Sequence, residues 1–224
     1  MDRESLVKII IEVKLMNCNE LRSKARLALT GKWMTSALVY FVFSVISIAI
    51  SRIFKGIWSI PTFLLTIPLY FGLVYVFLGV TRGADPKLEG LFEGFKDYMR
   101  VVVTGVLVNV YTLLWSLLLI VPGIIASISY SMTFYILIDD PQIKYNDAIK
   151  LSKEMMNGHK SRYFMLMLSF IGWWLLAILT LGIGTFWVAS YMSTAQACFY
   201  EDLKVNQIRD RIIGDTYNPE NQDY

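Results

Sequence analysis

The sequence predicts an all-α membrane protein with six transmembrane helices, and three observations support that fold class. Of the 224 residues, 55% are hydrophobic and only 17% are charged, whereas a soluble domain usually carries about 25% charged residues. Residues 163–200 contain no Asp, Glu, Lys, Arg or His, and such a stretch is long enough to cross a bilayer twice. The charged residues are concentrated between the apolar stretches, as is typical of polytopic proteins.

Residues 1–32 are predicted to form a cytoplasmic N-terminal amphipathic segment. Its first apolar run is interrupted by Lys8, Glu12 and Lys14, so it is too short and too charged to span a bilayer. Two alternatives stay open for residues 1–18. They form a helix on the membrane surface, or they are disordered. A start at Met16 would also leave most of them outside the native protein.

Three polar segments are expected to hold short surface helices. Asn19 is expected to cap the first, which runs to Leu29. In residues 81–100 the apolar side chains recur at helical spacing, which predicts a second amphipathic helix lying on the membrane. The third is expected from Asp147 to Asn157.

The predicted spans are close to the length that a bilayer requires. The first has 18 residues, which rise about 27 Å as a helix, and the hydrocarbon core is about 30 Å thick. Pro122-Gly123 is expected to separate spans three and four, and Gly182 with Gly184 to form the turn between spans five and six. Residues 201–224 are expected to be a polar cytoplasmic tail. The six predicted spans are 33–50, 57–80, 101–121, 123–138, 163–182 and 184–200.

The distribution of positive charge predicts the orientation. Nineteen of the 21 Lys and Arg residues precede span one, follow span six, or lie in the loops after spans two and four. The other two are Arg52 and Lys55, after span one. Because Lys and Arg accumulate on the cytoplasmic side, both termini are expected in the cytoplasm.

Polar groups within the spans are few and uncharged. Asn109, Thr112 and Ser116 share one face of span three. An interhelical hydrogen bond is the favoured interpretation, and a transport site is the alternative. Because ion-coupled carriers usually keep an ionisable residue within a span, and the six predicted spans hold none, both an enzyme and an ion-coupled transporter are disfavoured.

Five basic residues near the cytoplasmic span ends are candidate contacts for anionic lipid headgroups. The same charges are also those that would determine topology, so both interpretations stay open. These residues are Lys24, Arg26, Lys32, Lys160 and Arg162.

Other candidate residues have simpler structural explanations. The single histidine, His159, would need suitable partners for catalysis or metal binding. Asp139 and Asp140 form either a carboxylate pair or, as we favour, a helix end and a cap before Pro141. Small residues spaced by four near the C-terminus offer either a dimer face or, as we favour, close packing within one chain; they are Ala189, Ser193 and Ala197.

Several stretches resemble the bacterial domain-of-unknown-function family 975, a family of small polytopic membrane proteins. The resemblance covers roughly residues 19–203 and is most specific in the last third. It implies six helices and a bacterial plasma-membrane location, and it transfers no active site. The stretches are ELRSKARLALTGKW, LLIVPGII, SMTFYILIDDP and SKEMMNGHKSRYFMLMLSFIGWWLLAILTLGIGTFWVASYMSTAQACFYEDL.

The expected function is therefore that of a non-enzymatic membrane module without cofactor or metal. Its expected partners are membrane lipids, with another membrane protein or a second copy as alternatives. A net charge of +3 is too small to indicate a nucleic-acid partner. The alternative function is a permease-like transport subunit or a self-protection factor against membrane-active peptides.

Overall fold

Helices make up all the regular structure in the part of the chain that the computed structural model describes, residues 15–53 and 59–216. This confirms the predicted all-α class. The expected surface helix or leader before residue 15, Lys55 and the tail after residue 216 lie outside the described residues. The helices are α1 (Cys18–Ala28), α2 (Trp33–Ile53), α3 (Ser59–Thr81), the 3₁₀ segment (Leu88–Phe95), α4 (Tyr98–Leu118), α5 (Ile120–Tyr130), α6 (Thr133–Asp139), α7 (Tyr145–Met155), α8 (Lys160–Leu168), α9 (Ile171–Leu179) and α10 (Thr185–Thr216).

Five helical stretches within the described residues are long and apolar enough to cross a membrane, one fewer than the six predicted. The difference lies in α10, whose uncharged part, residues 185–200, is shorter than the 18 or so residues of an ordinary span. Two of the five contain a short turn, since α5 leads into α6 and α8 into α9. The five stretches are Trp33–Ile53, Pro61–Thr81, Tyr98–Leu118, Ile120–Asp139 and Lys160–Leu179.

The first helix is capped by Asn17, so the prediction of Asn19 was wrong. The Asn17 side chain accepts the Glu20 N–H at 2.9 Å, and the Glu20 carboxylate accepts the Asn17 N–H at 2.7 Å. This reciprocal pair satisfies two backbone donors at once. The helix buries Leu21 and Ala25 completely, because it packs against α10 instead of lying alone on a surface.

The chain breaks between α4 and α5 at Leu119, three residues before the predicted Pro122-Gly123. Leu119 has an extended backbone, with φ −162° and ψ 150°. Pro122 lies in the first turn of α5, where its missing N–H costs nothing. Gly123 packs so closely on α4 that a Cβ there would lie 2.3 Å from Ser116 Oγ.

The segment predicted as a surface helix is instead a 3₁₀ helix that packs lengthwise along α3. A Cβ built on Gly72 would lie 2.0 Å from the Leu91 carbonyl oxygen, and one built on Gly94 would lie 2.2 Å from the Pro68 carbonyl oxygen. Because Pro68 is thirteen residues from the end of α3 at Thr81, the segment reaches about 20 Å back along that helix.

The last helix extends beyond the predicted span. It has 32 residues, about 48 Å, and its second half takes up most of the segment predicted as a polar tail. Asp202 and Asn206 in that half are buried, because α1 packs beside them. We call this end of the bundle, where α1 and the second half of α10 meet, the charged end.

Candidate functional site

A cavity of about 450 Å³, lined by both apolar and polar side chains, lies between the helices, within the size range of small-molecule sites. Asn109 on its wall is eleven residues from the start of α4 and nine from its end, so the cavity lies at mid-span. Residues of α3, α4, α5, α6, α8 and α10 form the wall. They are Phe63, Thr66, Ile67, Tyr70, Val108, Asn109, Thr112, Ser127, Tyr130, Ser131, Phe134, Tyr163 and Gln196.

The short polar side chains of the wall donate their protons to their own helices. Asn109 Nδ2 donates to the Gly105 carbonyl oxygen at 2.8 Å, and Thr112 Oγ1 donates to that of Val108 at 2.8 Å. Thr66 bonds in the same way to the preceding turn of α3, at 2.7 Å. Each hydroxyl oxygen therefore keeps lone pairs that a ligand can use as acceptors.

Longer side chains complete the wall. Tyr70 packs edge-to-face on Phe134, with ring centroids 5.8 Å apart, a geometry that holds both rings in place. Gln196 Nε2 donates to the Met167 sulfur at 3.2 Å, which fixes the orientation of the amide. The cavity thus combines aromatic surface with hydrogen-bonding groups.

Among the described residues, those that form the wall include no Asp, Glu, Lys, Arg or His. A charged ligand would therefore enter a low-dielectric site without a compensating charge, which is costly. At the rim, Phe63 is 40% and Tyr70 is 43% exposed. Both belong to α3, one of the helices long and apolar enough to cross a membrane, so the cavity is open at the side of the bundle.

The structure places two of the three polar residues predicted for span three on this wall. Asn109 and Thr112 line the cavity. Ser116 lies outside it, because it donates to the Thr112 carbonyl oxygen at 2.8 Å and faces Gly123 where α4 meets α5.

Sequence reasoning missed the wall residues contributed by the other helices. Ser127 and Ser131 carry only a weak local signal, since they are two small residues spaced by four. Gln196 carried a usable signal, since it is the one Gln within the uncharged stretch 163–200. The remaining polar wall residues are Thr66 and the tyrosines, which are residue types common in transmembrane helices and therefore carry no signal.

The five predicted headgroup contacts differ in their surroundings. Lys32 Nζ donates to the Gly83 and Ala84 carbonyl oxygens, at 2.8 and 2.9 Å. Arg162 forms an ion pair with Asp202. These two side chains are thus engaged within the protein. The other three, Lys24, Arg26 and Lys160, form no ion pair with a described residue.

Two of the three small residues predicted either as a dimer face or as internal packing make contacts within the chain. Ser193 shares a hydrogen bond of 2.5 Å with the Tyr40 hydroxyl, and Ala197 is fully buried. The stripe therefore joins α10 to α2 and to the core.

Asp139 joins three elements at the charged end. Its carboxylate accepts Arg82 Nη2 at 2.6 Å, Lys204 Nζ at 2.6 Å and the Tyr200 hydroxyl at 3.0 Å. Arg82 also pairs with Glu201 at 2.7 Å. Burial lowers the pKa of Arg82, but its bonds to Asp139 and Glu201 raise the pKa above its ordinary value.

Asp140 and His159 both lie in connections between helices. Asp140 accepts the Gln142 N–H at 2.9 Å, so it stabilises a turn, and the next helix begins only at Tyr145. The expected helix start at Pro141 was therefore wrong. His159 is the residue that precedes α8.

Comparison with known proteins identifies one family. The family model described as "Protein of unknown function (DUF975)" matches residues 16–129 and 117–207. No curated protein and no solved structure matches the chain.

Proposed function

We propose that this chain, which belongs to the DUF975 family of proteins of unknown function, is a non-enzymatic membrane module that binds an uncharged lipid carrying a hydroxyl group. The observation that carries this proposal is the cavity at mid-span, which is polar but has no charged side chain in its wall. A helix surface that contacts only lipid tails would have no use for such polar groups. The oxygen acceptors of this wall can instead accept hydrogen bonds from the hydroxyl group of a lipid.

The open side of the cavity favours a lipid over a water-soluble ligand. Phe63 and Tyr70 at the rim are aromatic and belong to a span. A lipid could enter between α3 and its neighbours without leaving the bilayer, with its hydroxyl at the Asn109 level. A water-soluble solute would first have to lose its hydration.

The chemistry of the wall supports a binding role over catalysis. General acid–base catalysis uses groups whose pKa lies near the working pH, and this wall offers only hydroxyls and carboxamides. Its groups can orient a ligand by hydrogen bonds. They do not supply a nucleophile with an adjacent base.

The orientation belongs to the same proposal. We place the module in the bacterial plasma membrane with both termini in the cytoplasm, as the uneven distribution of Lys and Arg supports. The charged end would then face the cytoplasm.

The test compares two neutral lipids on the purified full-length protein. Dioleoylglycerol has one hydroxyl, and trioleoylglycerol has none. We expect dioleoylglycerol to bind more tightly, measured by native mass spectrometry from detergent. Asn109→Leu should weaken that binding about tenfold, since one hydrogen bond to a buried group is worth about 1 kcal/mol or more.

Ser116→Ala is the matched control, since Ser116 lies on the same helix outside the cavity. It should leave the affinity unchanged. Equal binding of the two lipids, or an Asn109→Leu protein that is folded and binds normally, would overturn the proposal.

A permease-like subunit is the second candidate, and the placement of Asn109 and Thr112 on one cavity favours it. Proteoliposomes separate the two functions. A permease would accelerate the passage of a small uncharged polyol such as glycerol, and Asn109→Leu would slow that passage. A lipid-binding module would leave the permeability of the vesicles unchanged.

A further inference from the structure

Three lysines surround one pocket where α7 leads into α8. The pocket has a volume of about 370 Å³ and is lined by Lys150, Lys153, Glu154, Asn157 and Lys160. None of the three ammonium groups forms an ion pair with a described residue. Three positive charges therefore face one negative charge, and no described residue neutralises the excess by an ion pair.

Two of the lysines lie on α7, whose opposite face packs against α5. Ser152, on the opposite face of α7, is buried and donates to the Ser129 carbonyl oxygen of α5 at 2.9 Å. Lys150, Lys153 and Asn157 follow at spacings of three and four, so they lie on the outward face.

A tight turn returns the chain to the pocket. Gly158 has φ +77°, a left-handed conformation that favours glycine. It connects α7 to α8, which begins at Lys160. The third lysine is thereby brought back to the two on α7.

An apolar wall begins directly beyond Lys160. Phe164 and Leu168 follow it at spacings of four on α8, and Ile171 and Leu175 continue the exposed apolar surface on α9. The distance from Phe164 to Leu175 along the helices is about 16 Å, close to half of the roughly 30 Å hydrocarbon core. The dimensions match one lipid leaflet with a headgroup at its edge.

From this geometry we propose a second site, at which the three lysines bind the phosphate of an anionic phospholipid while its acyl chains lie along α8 and α9. Asn157 supplies an amide donor beside the ammonium groups. The site is separate from the mid-span cavity, whose wall has no charge. The two proposals are therefore independent, and a negative result for one does not affect the other.

The experiment titrates full-length protein in neutral detergent with dioleoylphosphatidylglycerol and, separately, with dioleoylphosphatidylcholine. Native mass spectrometry counts bound lipids. The anionic lipid should bind more tightly than the zwitterionic one. Lys150→Gln with Lys153→Gln should weaken its binding by about tenfold to thirtyfold.

The matched control removes the same charge elsewhere. Lys87 and Lys144 are exposed and form no ion pair with a described residue. Lys87→Gln with Lys144→Gln should leave the affinity within about twofold of the parent. An equal loss in this control would mean that net charge alone attracts the lipid, which would overturn the site.

Two further arms keep the proposal testable. Glu154→Gln removes the one negative charge of the pocket and should strengthen binding of the anionic lipid, whatever the double lysine variant does to folding. An unchanged affinity would contradict the proposal.

Inorganic phosphate is the other probe. If it stabilises the protein in the absence of lipid as strongly as phosphatidylglycerol does, the ligand is a soluble phosphate and the lipid assignment is wrong.

Discussion

Gly94 lies against the backbone of Pro68, where a Cβ on the glycine would come within 2.2 Å of the proline carbonyl oxygen. A second contact of this kind joins Gly72 and Leu91. There the glycine belongs to α3, and the backbone that it contacts belongs to the 3₁₀ segment. Two glycines on two elements thus allow the 3₁₀ segment to contact the α3 backbone. Side chains at either position would separate them.

Gly94→Ala should therefore destabilise the protein, because the neighbouring atom is rigid backbone. We expect a loss of about 1–3 kcal/mol, as for overpacked cores, seen as a lower Tm in detergent micelles. Gly172→Ala is the control, since a Cβ there meets nothing within 4 Å. It should leave the Tm unchanged or raise it, because alanine favours helix. Equal Tm values for the two variants would contradict the close contact.

Asp139→Asn should loosen the charged end. The carboxylate accepts bonds from Arg82, Lys204 and Tyr200. Its loss leaves Lys204 without an ion-pair partner among the described residues and leaves Arg82 paired with Glu201 alone. We expect a cost of about 1–3 kcal/mol, measured as a decrease in Tm. Asp140→Asn removes the adjacent charge but keeps the oxygen that accepts the Gln142 N–H. If this control cost as much, Asp139 would have no special role.

Arg162 and Asp202 should behave as a coupled buried pair. Asp202 is only 4% exposed, so Asp202→Leu leaves the guanidinium without its counter-charge, at a cost of about 3–5 kcal/mol. Combining it with Arg162→Met should recover much of that loss, since an apolar pair needs no compensation. A double variant no more stable than Asp202→Leu alone would argue against coupling. Thermal unfolding of the three proteins in one detergent provides the comparison.

Cysteine labelling tests the proposed orientation. Leu181, in the turn between α9 and α10, is 95% exposed and lies at the end opposite the lysine pocket. In a background with Cys18→Ser and Cys198→Ala, Leu181→Cys should react with a membrane-impermeant maleimide added to intact cells. Lys150→Cys should react only after the cells are opened. The reverse pattern would invert the topology.

The fold class was predictable because its signals are local. Uncharged runs of the right length identify spans, and Gly182, at φ +85°, occupies the predicted turn. Contacts made across the bundle were not predictable. The 3₁₀ segment has an amphipathic pattern that suits a membrane surface, and only its position beside Gly72 shows that it packs on α3. Asn17 is the N-cap instead of Asn19 because Glu20, three residues later, completes the reciprocal pair of hydrogen bonds with it.

The cavity was only partly predictable for the same reason. Asn109 and Thr112 stand out because they are polar within a span. Gln196 comes from the far end of the chain, and no local pattern relates it to span three. Arg162 looked like a headgroup contact because its partner, Asp202, lies forty residues further on.

The length of α10 has a consequence for how the molecule sits in its membrane. The uncharged part of this helix, residues 185–200, rises about 24 Å. A bilayer with a hydrocarbon core of about 30 Å would have to thin where it meets this part. The first half of α10 shares contacts with α2, and its second half holds α1 and the Asp139 carboxylate. Because both halves belong to one continuous helix, a tilt of the first half would also move α1 and Asp139 at the charged end.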